Sequence, residues 1–388
     1  MSKKASTNLC TGPSLRVGVL GGGQLGRMMI QAGVDLDMRI EVMDPSSDAP
    51  CRHLTHRFVQ GDLNDHNAVV DFGRDLDVLT IEIENVSISG LRELEESGVS
   101  IIPKPSHIEL IQDKGIQKQF FADNNIPTSK FTLIEEHGEI SKMGFPIVQK
   151  LRTGGYDGRG VQILKTREEV VKNRFSEPSL LELAVDIDKE LSVIVARNSS
   201  GETATYPVVE SVFDPVANLV SSLIAPAEIS DALASEATAL ALRVVQAMEF
   251  EGLMAVELFL NTHGELLVNE VAPRTHNSGH HTIEANRTSQ FSQHLRTIMN
   301  MPLGSVEPIH KAAGMINLLG AEGAYGAPVY EGLGEAVRMA GVNPHLYGKS
   351  EVKPHRKMGH VTVTGSSMEE VKSCLLKLQN NVCVTGTD

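Results

Sequence analysis

Phe145-Pro-Ile-Val-Gln-Lys-Leu-Arg-Thr-Gly-Gly-Tyr-Asp-Gly-Arg-Gly160 is the stretch on which the reading of this chain turns. The run from Phe145 to Lys150 has strand character and ends in a lysine. Directly behind it, Arg152 to Gly160 holds four glycines and two arginines. Glycine reaches positive φ and lets backbone N–H groups come close to a ligand, while arginine and lysine donate to anionic oxygens. The pattern is that of a strand feeding a phosphate-cradling flap. Its spacing is not G-x-x-x-x-G-K-[ST], so a Walker nucleotidase is not implied. A plain strand-turn-strand linker is the bland alternative, and such a linker has no need of so many special residues.

Working outward toward the N-terminus, Arg16-Val-Gly-Val-Leu20 reads as a buried strand that runs into Gly21-Gly-Gly-Gln-Leu-Gly26 and a helical Arg27-Met-Met-Ile-Gln-Ala32. Further strands are expected at Ile40–Asp44, Val78–Ile81 and Val99–Ile102, and strands alternating with helices indicate a parallel α/β sheet. This first, Rossmann-like domain spans 1–112, with its folded part from about residue 14. A helix at Lys114–Asn124, closed by Asn125-Ile-Pro127, opens a central α+β domain over 113–309, divided into a small lobe at 113–186 and a large lobe at 187–309. The large lobe contains strands at Glu190–Ala196, a helix from Ser230 to about Glu249, and a hairpin formed by Leu253–Leu260 and Glu265–Val271. Residues 310–388 read as a small β-rich domain with many glycines and prolines.

A chain of 388 residues has ample length to bury a core, and 41% hydrophobic with 22% charged residues describes an ordinary globular protein. No apolar run approaches the roughly 20 residues that cross a bilayer, and the polar start Met1–Asn8 lacks a secretory core, so no membrane partner and a cytoplasmic address are expected. Cys10, Cys51, Cys374 and Cys383 fall in no C-x-x-C spacing, which argues against a zinc site or a disulfide framework. A formal net charge of −14 argues against a nucleic-acid partner. An anionic small substrate would need a local cluster of cations, for which Lys114, Lys150, Arg152, Arg159, Arg274, Lys353, Arg356 and Lys357 are the candidates.

The hairpin carries a geometric expectation. A two- or four-residue turn centred on Thr262-His263 puts Glu257 opposite Val268, with Glu270 two residues on and on the same face; a three-residue turn would break that parity. Two converging carboxylates beside Asn269 form a hard-oxygen site suited to Mg²⁺ on nucleotide phosphates. The following Val271-Ala-Pro-Arg-Thr-His-Asn-Ser-Gly-His-His281 mixes an arginine, three histidines and small polar residues in a way core packing does not call for. Arg274 suits an anionic intermediate, and Asn277 and Ser278 suit neutral hydrogen bonds. The H-x-x-x-H-H spacing alone is a weak zinc signal. Gly21-x-Gly23-x-x-Gly26, with Asp44 closing the next strand, also meets the textual fingerprint of a dinucleotide fold. A dehydrogenase has no use for the glycine flap and the paired glutamates, whereas a helix N-terminus holds any phosphate.

Gly21–Met28, Gly154–Gly160, Asn269–His280 and Arg356–His360 together resemble the signatures of the 5-(carboxyamino)imidazole ribonucleotide synthetase family, within the ATP-grasp superfamily. The resemblance runs from about Arg16 to about Thr364. It implies an ATP-grasp fold with an N-terminal parallel-sheet domain, a central ATP-grasp domain and a small C-terminal β-rich domain. It also implies a carbon–nitrogen ligase of purine synthesis that carboxylates aminoimidazole ribonucleotide with bicarbonate, through carboxyphosphate, with ATP and Mg²⁺, as a homodimer.

By the same resemblance, Lys114 and Lys150 hold ATP phosphates under Gly155, Tyr156, Asp157, Gly158, Arg159 and Gly160. Glu182, Leu183, Ala184 and Val185 form the adenine hinge, Glu190 meets the ribose, and Asn269 lies beside the metal ligands Glu257 and Glu270. Arg274 stabilises carboxyphosphate. Tyr156, Asp157, Arg159 and His276 act at the base and its amine, near Glu84, Asn277 and Ser278, while Gln24, Leu25, Lys353 and Arg356 take the ribonucleotide phosphate. Many relatives carry a histidine where this chain reads Ser211-Val-Phe213, so no polar role is expected of Phe213. The alternatives are a related formate-dependent glycinamide ribonucleotide formyltransferase, an NAD(P) dehydrogenase and an ATP-binding sensor without turnover.

Overall fold

The computed structural model describes residues 15–135, 143–154, 160–214 and 219–387. The flap residues Gly155, Tyr156, Asp157, Gly158 and Arg159 lie outside the described residues, as does the side chain of Phe213.

The first sheet has five parallel strands, β1 (Arg16–Leu20), β2 (Arg39–Asp44), β3 (Arg57–Gln60), β4 (Val78–Ile81) and β5 (Ser100–Ile101), in the order β3-β2-β1-β4-β5. Val17, Val19, Leu20, Val42, Leu79 and Ile81 are almost wholly buried, which is why these strands read as continuous apolar runs rather than alternating ones. The helix Gln24–Val34 starts directly behind β1 and buries Met28, Met29 and Ile30.

The small lobe is an antiparallel sheet of β6 (Phe131–Ile134), β7 (Ile147–Leu151), β8 (Val161–Leu164) and β9 (Ser179–Leu183), in the order β6-β9-β7-β8. β7 is the strand that the opening stretch announced, and Leu151 N–H donates to Gly160 C=O at 2.8 Å to close the base of the flap.

The large lobe contributes β10 (Ile187–Arg197), β11 (Thr203–Thr205), β12 (Val209–Asp214), β13 (Leu219–Ala225), β14 (Gly252–Asn261) and β15 (Leu266–Ala272). Against it lies the helix Asp231–Ala247, capped by Ser230, whose Oγ accepts from Leu233 N–H at 3.3 Å. Its Leu240, Val244 and Val245 share one core with Val193, Val195, Met254 and Val256. Each such side chain stabilises the fold by roughly 1.5–3 kcal/mol on burial.

The remaining strands are β16 (Ala312–Leu319), β17 (Pro328–Glu331), β18 (Val342–Leu346), β19 (Lys357–Gly365) and β20 (Cys383–Gly386), with a helix at Met368–Asn381. β17 and β20 pair with each other as a separate two-stranded antiparallel sheet, whereas β16, β18 and β19 extend the sheet of the large lobe. β16 pairs antiparallel with β13, Leu223 opposite Met315, so one sheet runs β15-β14-β10-β12-β13-β16-β19-β18. Among the described residues, no helix is long and apolar enough to cross a membrane.

Candidate active site

The turn of the β14–β15 hairpin has three residues, Thr262–Gly264, with Asn261 N–H donating to Glu265 C=O at 3.0 Å and Gly264 at φ 81°. Parity is therefore broken, and an unbroken ladder would set Asn269 opposite Glu257. A register shift repairs it: Leu258 pairs with Val268, but Glu257 pairs with Glu270, leaving Asn269 as the extra residue of a β-bulge. The expected Glu257–Val268 pairing is thus replaced by direct opposition of the two glutamates. The carboxylates converge as anticipated, by a different route.

Lys114 Nζ is ion-paired with Glu270. Lys150 Nζ lies 3.0 Å from Asn269 Oδ1 and 2.6 Å from Glu182 Oε2, while Lys118 Nζ lies 2.7 Å from Glu182 Oε1. Burial pushes Glu257 above the usual carboxylate range and the neighbouring Glu270 adds to it, whereas Lys114 outweighs burial to hold Glu270 low. Burial opposes the charge on Glu182, yet Lys150 and Lys118 bring it down to about 2. Burial lowers Lys118 to about 8 against the pull of Glu182. Glu190, on β10, is raised by burial to about 7. The Glu182 carboxylate is therefore committed to two lysines and to the Ser129 hydroxyl, and the Leu183 and Ala184 N–H groups donate to Lys130 C=O at 2.9 Å and Pro146 C=O at 3.0 Å.

Arg152 is not placed as an anion donor. It grips Asp113, with Nη2 2.7 Å from Oδ2 and Nε 3.0 Å from Oδ1, and Asp113 in turn accepts from Gly115 N–H at 2.7 Å as the cap of the helix Lys114–Asp123. With Lys114 N–H donating to Arg152 C=O at 2.8 Å, the root of the flap and the lysine at Glu270 are tied together.

The segment after β15 turns back onto this cluster. Arg274 Nε lies 2.8 Å from Glu84 Oε1, and His276 Nε2 lies 3.3 Å from Glu257 Oε1. His276 Nδ1 is 2.9 Å from Ser278 Oγ, which is 2.8 Å from Ser192 Oγ. Asn277 Oδ1 is buried without a hydrogen-bond partner among the described residues. Gln290, which sequence reasoning missed, accepts from His276 N–H at 2.9 Å and donates to His276 C=O at 2.7 Å. No group of three or more His, Cys, Asp or Glu able to hold a metal occurs among the described residues, so the histidine spacing assembles no zinc site there.

The glycine turn of the first domain is occupied by the protein itself. Gly23 and Gly26 N–H groups donate to the buried Glu82 carboxylate, and Gly22 N–H donates to Asp44 Oδ2 at 2.7 Å. A Cβ on Gly21 would lie 2.4 Å from Glu82 Cγ, and one on Gly23 2.6 Å from Glu82 Oε1. The glycines make room for Glu82, whose carboxyl oxygens already occupy those donors and exclude a pyrophosphate from them, which removes the physical basis of the dinucleotide reading. Gln24 and Leu25 remain at the tip of the helix, and Lys349 Nζ reaches Gln24 Oε1 at 3.2 Å. Lys353 pairs with Glu351 at 3.0 Å, and Arg356 Nη1 donates to Glu351 C=O at 2.6 Å. Lys349 was missed, although its place in Tyr347-Gly-Lys-Ser350 carries the small-residue context of an anion contact.

Comparison with known proteins gives three family matches: the ribonucleotide synthetase preATP-grasp domain over residues 15–112, the ATP-grasp domain over 119–291, and the phosphoribosylaminoimidazole carboxylase C-terminal domain over 313–373. The chain is 37% identical over 371 residues to an N5-carboxyaminoimidazole ribonucleotide synthase of Synechococcus elongatus, covering 93% of each. It is 38% identical over 368 residues to a chloroplastic phosphoribosylaminoimidazole carboxylase of Vigna aconitifolia, covering 92% of this chain and 66% of that longer protein. Among solved structures, the N5-carboxyaminoimidazole ribonucleotide synthetase of Thermotoga maritima superposes with a TM-score of 0.89 at 40% identity, over 96% of this chain and 100% of the other. An N5-carboxyaminoimidazole synthase of Aspergillus clavatus, in complex with ADP and 5-aminoimidazole ribonucleotide, gives 0.85 at 31% identity over 94% and 98%.

Proposed function

This chain belongs to the N5-carboxyaminoimidazole ribonucleotide synthase family of ATP-grasp ligases, and we propose that its residues divide the ATP-dependent carboxylation of 5-aminoimidazole ribonucleotide between two ends of one site. At the nucleotide end, Lys114 and Lys150 hold ATP phosphates, the flap Gly155–Gly160 covers them, the stretch Glu182–Val185 lies along the adenine, and Glu190 accepts from the ribose hydroxyls. The opposition of Glu257 and Glu270 next to Lys114 is the observation that carries this reading.

Those residues fit Mg²⁺. The two half-buried carboxylates face each other, Glu270 beside Lys114 and Glu257 with His276 Nε2 3.3 Å away, and a divalent cation that displaced the Glu257 proton would join both to the nucleotide phosphates. A site with few protein carboxylates suits an ion that keeps waters and shares phosphate oxygens. Bound there, Mg²⁺ would neutralise charge on the nucleotide phosphates.

Bicarbonate is the proposed carboxyl donor. One of its oxygens attacks the γ-phosphorus, the bond to the bridging oxygen breaks, and ADP leaves; Arg274 holds the resulting carboxyphosphate beside Glu84. The amine nitrogen then bonds to the carboxyl carbon, the bond from that carbon to the phosphate oxygen breaks, and phosphate departs carrying the proton the amine gives up. The base and amine lie among Tyr156, Asp157, Arg159, His276, Asn277 and Ser278. The ribonucleotide phosphate lies at Gln24 and Leu25, with Lys353 and Arg356 closing from the last domain; the 3.2 Å contact of Lys349 Nζ with Gln24 Oε1 supports adding Lys349 to them. A homodimer acting in the cytoplasm completes the proposal.

The test is release of ADP and phosphate from ATP with Mg²⁺ and bicarbonate, with and without aminoimidazole ribonucleotide, beside formate with glycinamide ribonucleotide. Stimulation by the imidazole alone is expected. Stimulation by the second pair alone would move the chain to the formyltransferase, and silence with both would defeat the site assignment. Sedimentation equilibrium checks the dimer.

A further inference from the structure

Three imidazoles lie in ring contact between the two arms of the proposed ribonucleotide site, His345 stacked on His360 and His280 tilted 37° against it. His360, on β19, has its ring centroid 4.6 Å from that of His280 and 4.5 Å from that of His345, the latter pair only 10° from parallel. His280 closes the segment that carries Arg274, His276 and Asn277. His345, on β18, stands just ahead of the connector that carries Lys349, Lys353 and Arg356. His360 is fully buried, and its Nδ1 lies 2.9 Å from the Tyr347 hydroxyl, at the root of that connector.

Each outer ring is itself anchored. His345 Nε2 lies 2.6 Å from Glu284 Oε1. His280 Nδ1 lies 3.4 Å from Gln290 Nε2, part of the same amide that bonds the backbone N–H and C=O of His276. The connector is fastened at its far side by Lys349 to Gln24 and by Ser350 to Asp48. Burial holds His280 and His360 well below the usual imidazole range, so the two tilted rings meet as neutral groups without repulsion. None of the three has a place in phosphoryl transfer or in capture of the amine.

We propose that His360 is a positioning residue for the ribonucleotide: wedged between His280 and His345, it sets the separation between the arm that meets the base and amine and the arm that meets the phosphate. The proposal rests on the reading above, in which the ribonucleotide spans those two arms. A nucleoside monophosphate joins its two ends through a short, stiff ribose, so contact at one end raises the effective concentration of the other only when the arms stand at the matching distance. Rings used merely as filler would affect stability alone, whereas a spacer affects the ligand that bridges the arms.

The experiment compares wild type, His360→Asn, His360→Phe and Tyr347→Phe by ADP release with bicarbonate. Ribonucleotide is varied at saturating ATP, and ATP at saturating ribonucleotide, with thermal unfolding recorded for each. His360→Asn, which removes the ring faces, is expected to raise KM for aminoimidazole ribonucleotide by about tenfold while KM for ATP stays within about twofold. His360→Phe, which restores a flat ring, should recover most of that loss. Tyr347→Phe, which removes only a hydroxyl and keeps the question answerable if His360→Asn does not fold, should raise the same KM by about threefold. Equal changes in both KM values, or an unchanged ribonucleotide KM in these variants, would overturn the spacer role alone. Wild type that gains nothing from the ribonucleotide would overturn the site reading itself, and the spacer with it.

Discussion

Glu257 and Glu270 oppose each other across β14 and β15, and among the described residues only Glu270 has a lysine at hydrogen-bond distance. Burial and the charge of Glu270 keep Glu257 protonated at neutral pH, while Lys114 keeps Glu270 ionised. A divalent cation arriving with ATP would displace the Glu257 proton. At pH 7, formation of the Mg²⁺–ATP complex should release about one proton. Titration calorimetry in two buffers of different ionisation enthalpy measures it, and a release near zero would contradict the assignment.

Glu270→Gln removes the carboxylate that pairs with Lys114. ATP hydrolysis should fall by at least about a thousandfold, in line with loss of a group that neutralises phosphoryl charge. Thermal unfolding and circular dichroism should show the fold retained. Full activity in this variant would sink the metal-ligand role.

Glu190 gives a pH signature. Burial raises its carboxyl to about 7, above the ordinary carboxylate value, so the folded chain binds this proton more tightly than the unfolded chain does. Its contribution to stability is complete at acid pH and is lost as pH rises through about 7. Nucleotide-free protein should therefore lose denaturant resistance as pH rises from about 4.5, the ordinary carboxylate value, to about 7, and Glu190→Gln should flatten that window. A variant with the wild-type pH slope would show that Glu190 is not the titrating group.

Gly23→Ala would drive a Cβ to 2.6 Å from Glu82 Oε1. Overpacking of this kind costs about 1–3 kcal/mol, read as a shift in the urea midpoint. Gly23→Ala combined with Glu82→Ala should recover part of the loss. Additive losses would show that the glycine does not serve the carboxylate.

Lys349→Met and Lys353→Ala separate the contact found in the structure from the one read in the sequence. Lys349 reaches Gln24, whereas Lys353 is half-exposed and pairs with Glu351. Both should raise KM for the ribonucleotide, Lys349→Met by about tenfold and Lys353→Ala by less, with KM for ATP within about twofold. A larger effect at Lys353 would reverse the ranking.

Residues were more legible than relationships. The flap strand, the glycine turn and the two glutamates stand out because each needs unusual residue types at short range. Register does not: whether the hairpin turn holds two or three residues, and whether a bulge follows, depends on packing that no local pattern records, so the Glu257–Glu270 pairing was reached by the wrong register. Glu82-Ile-Glu84 offers two acids on one face of the chain, and only the fold shows that Glu82 enters the glycine turn while Glu84 meets Arg274. The helix Met368–Asn381 did leave a trace in Ser367-x-x-Glu370 followed by Val371, Leu375 and Leu378, and Ser367 Oγ accepts from Glu370 N–H at 3.2 Å. Glycine-rich and proline-rich neighbours drew attention to strands instead. The β13–β16 pairing joins residues too far apart in sequence for any window to see.

That pairing bears on how this protein could be taken apart. The three family matches are separable as text, with a gap between residues 291 and 313. As folded matter the last two are not. A fragment ending in that gap would strip β16 from β13 and leave Leu223 to Ala225 with unpaired N–H and C=O groups along a raw edge open to other chains. The C-terminal segment is thus a permanent partner strand and not a detachable module, and a chimera that exchanged it would have to supply a replacement for β16 before it could fold without aggregating.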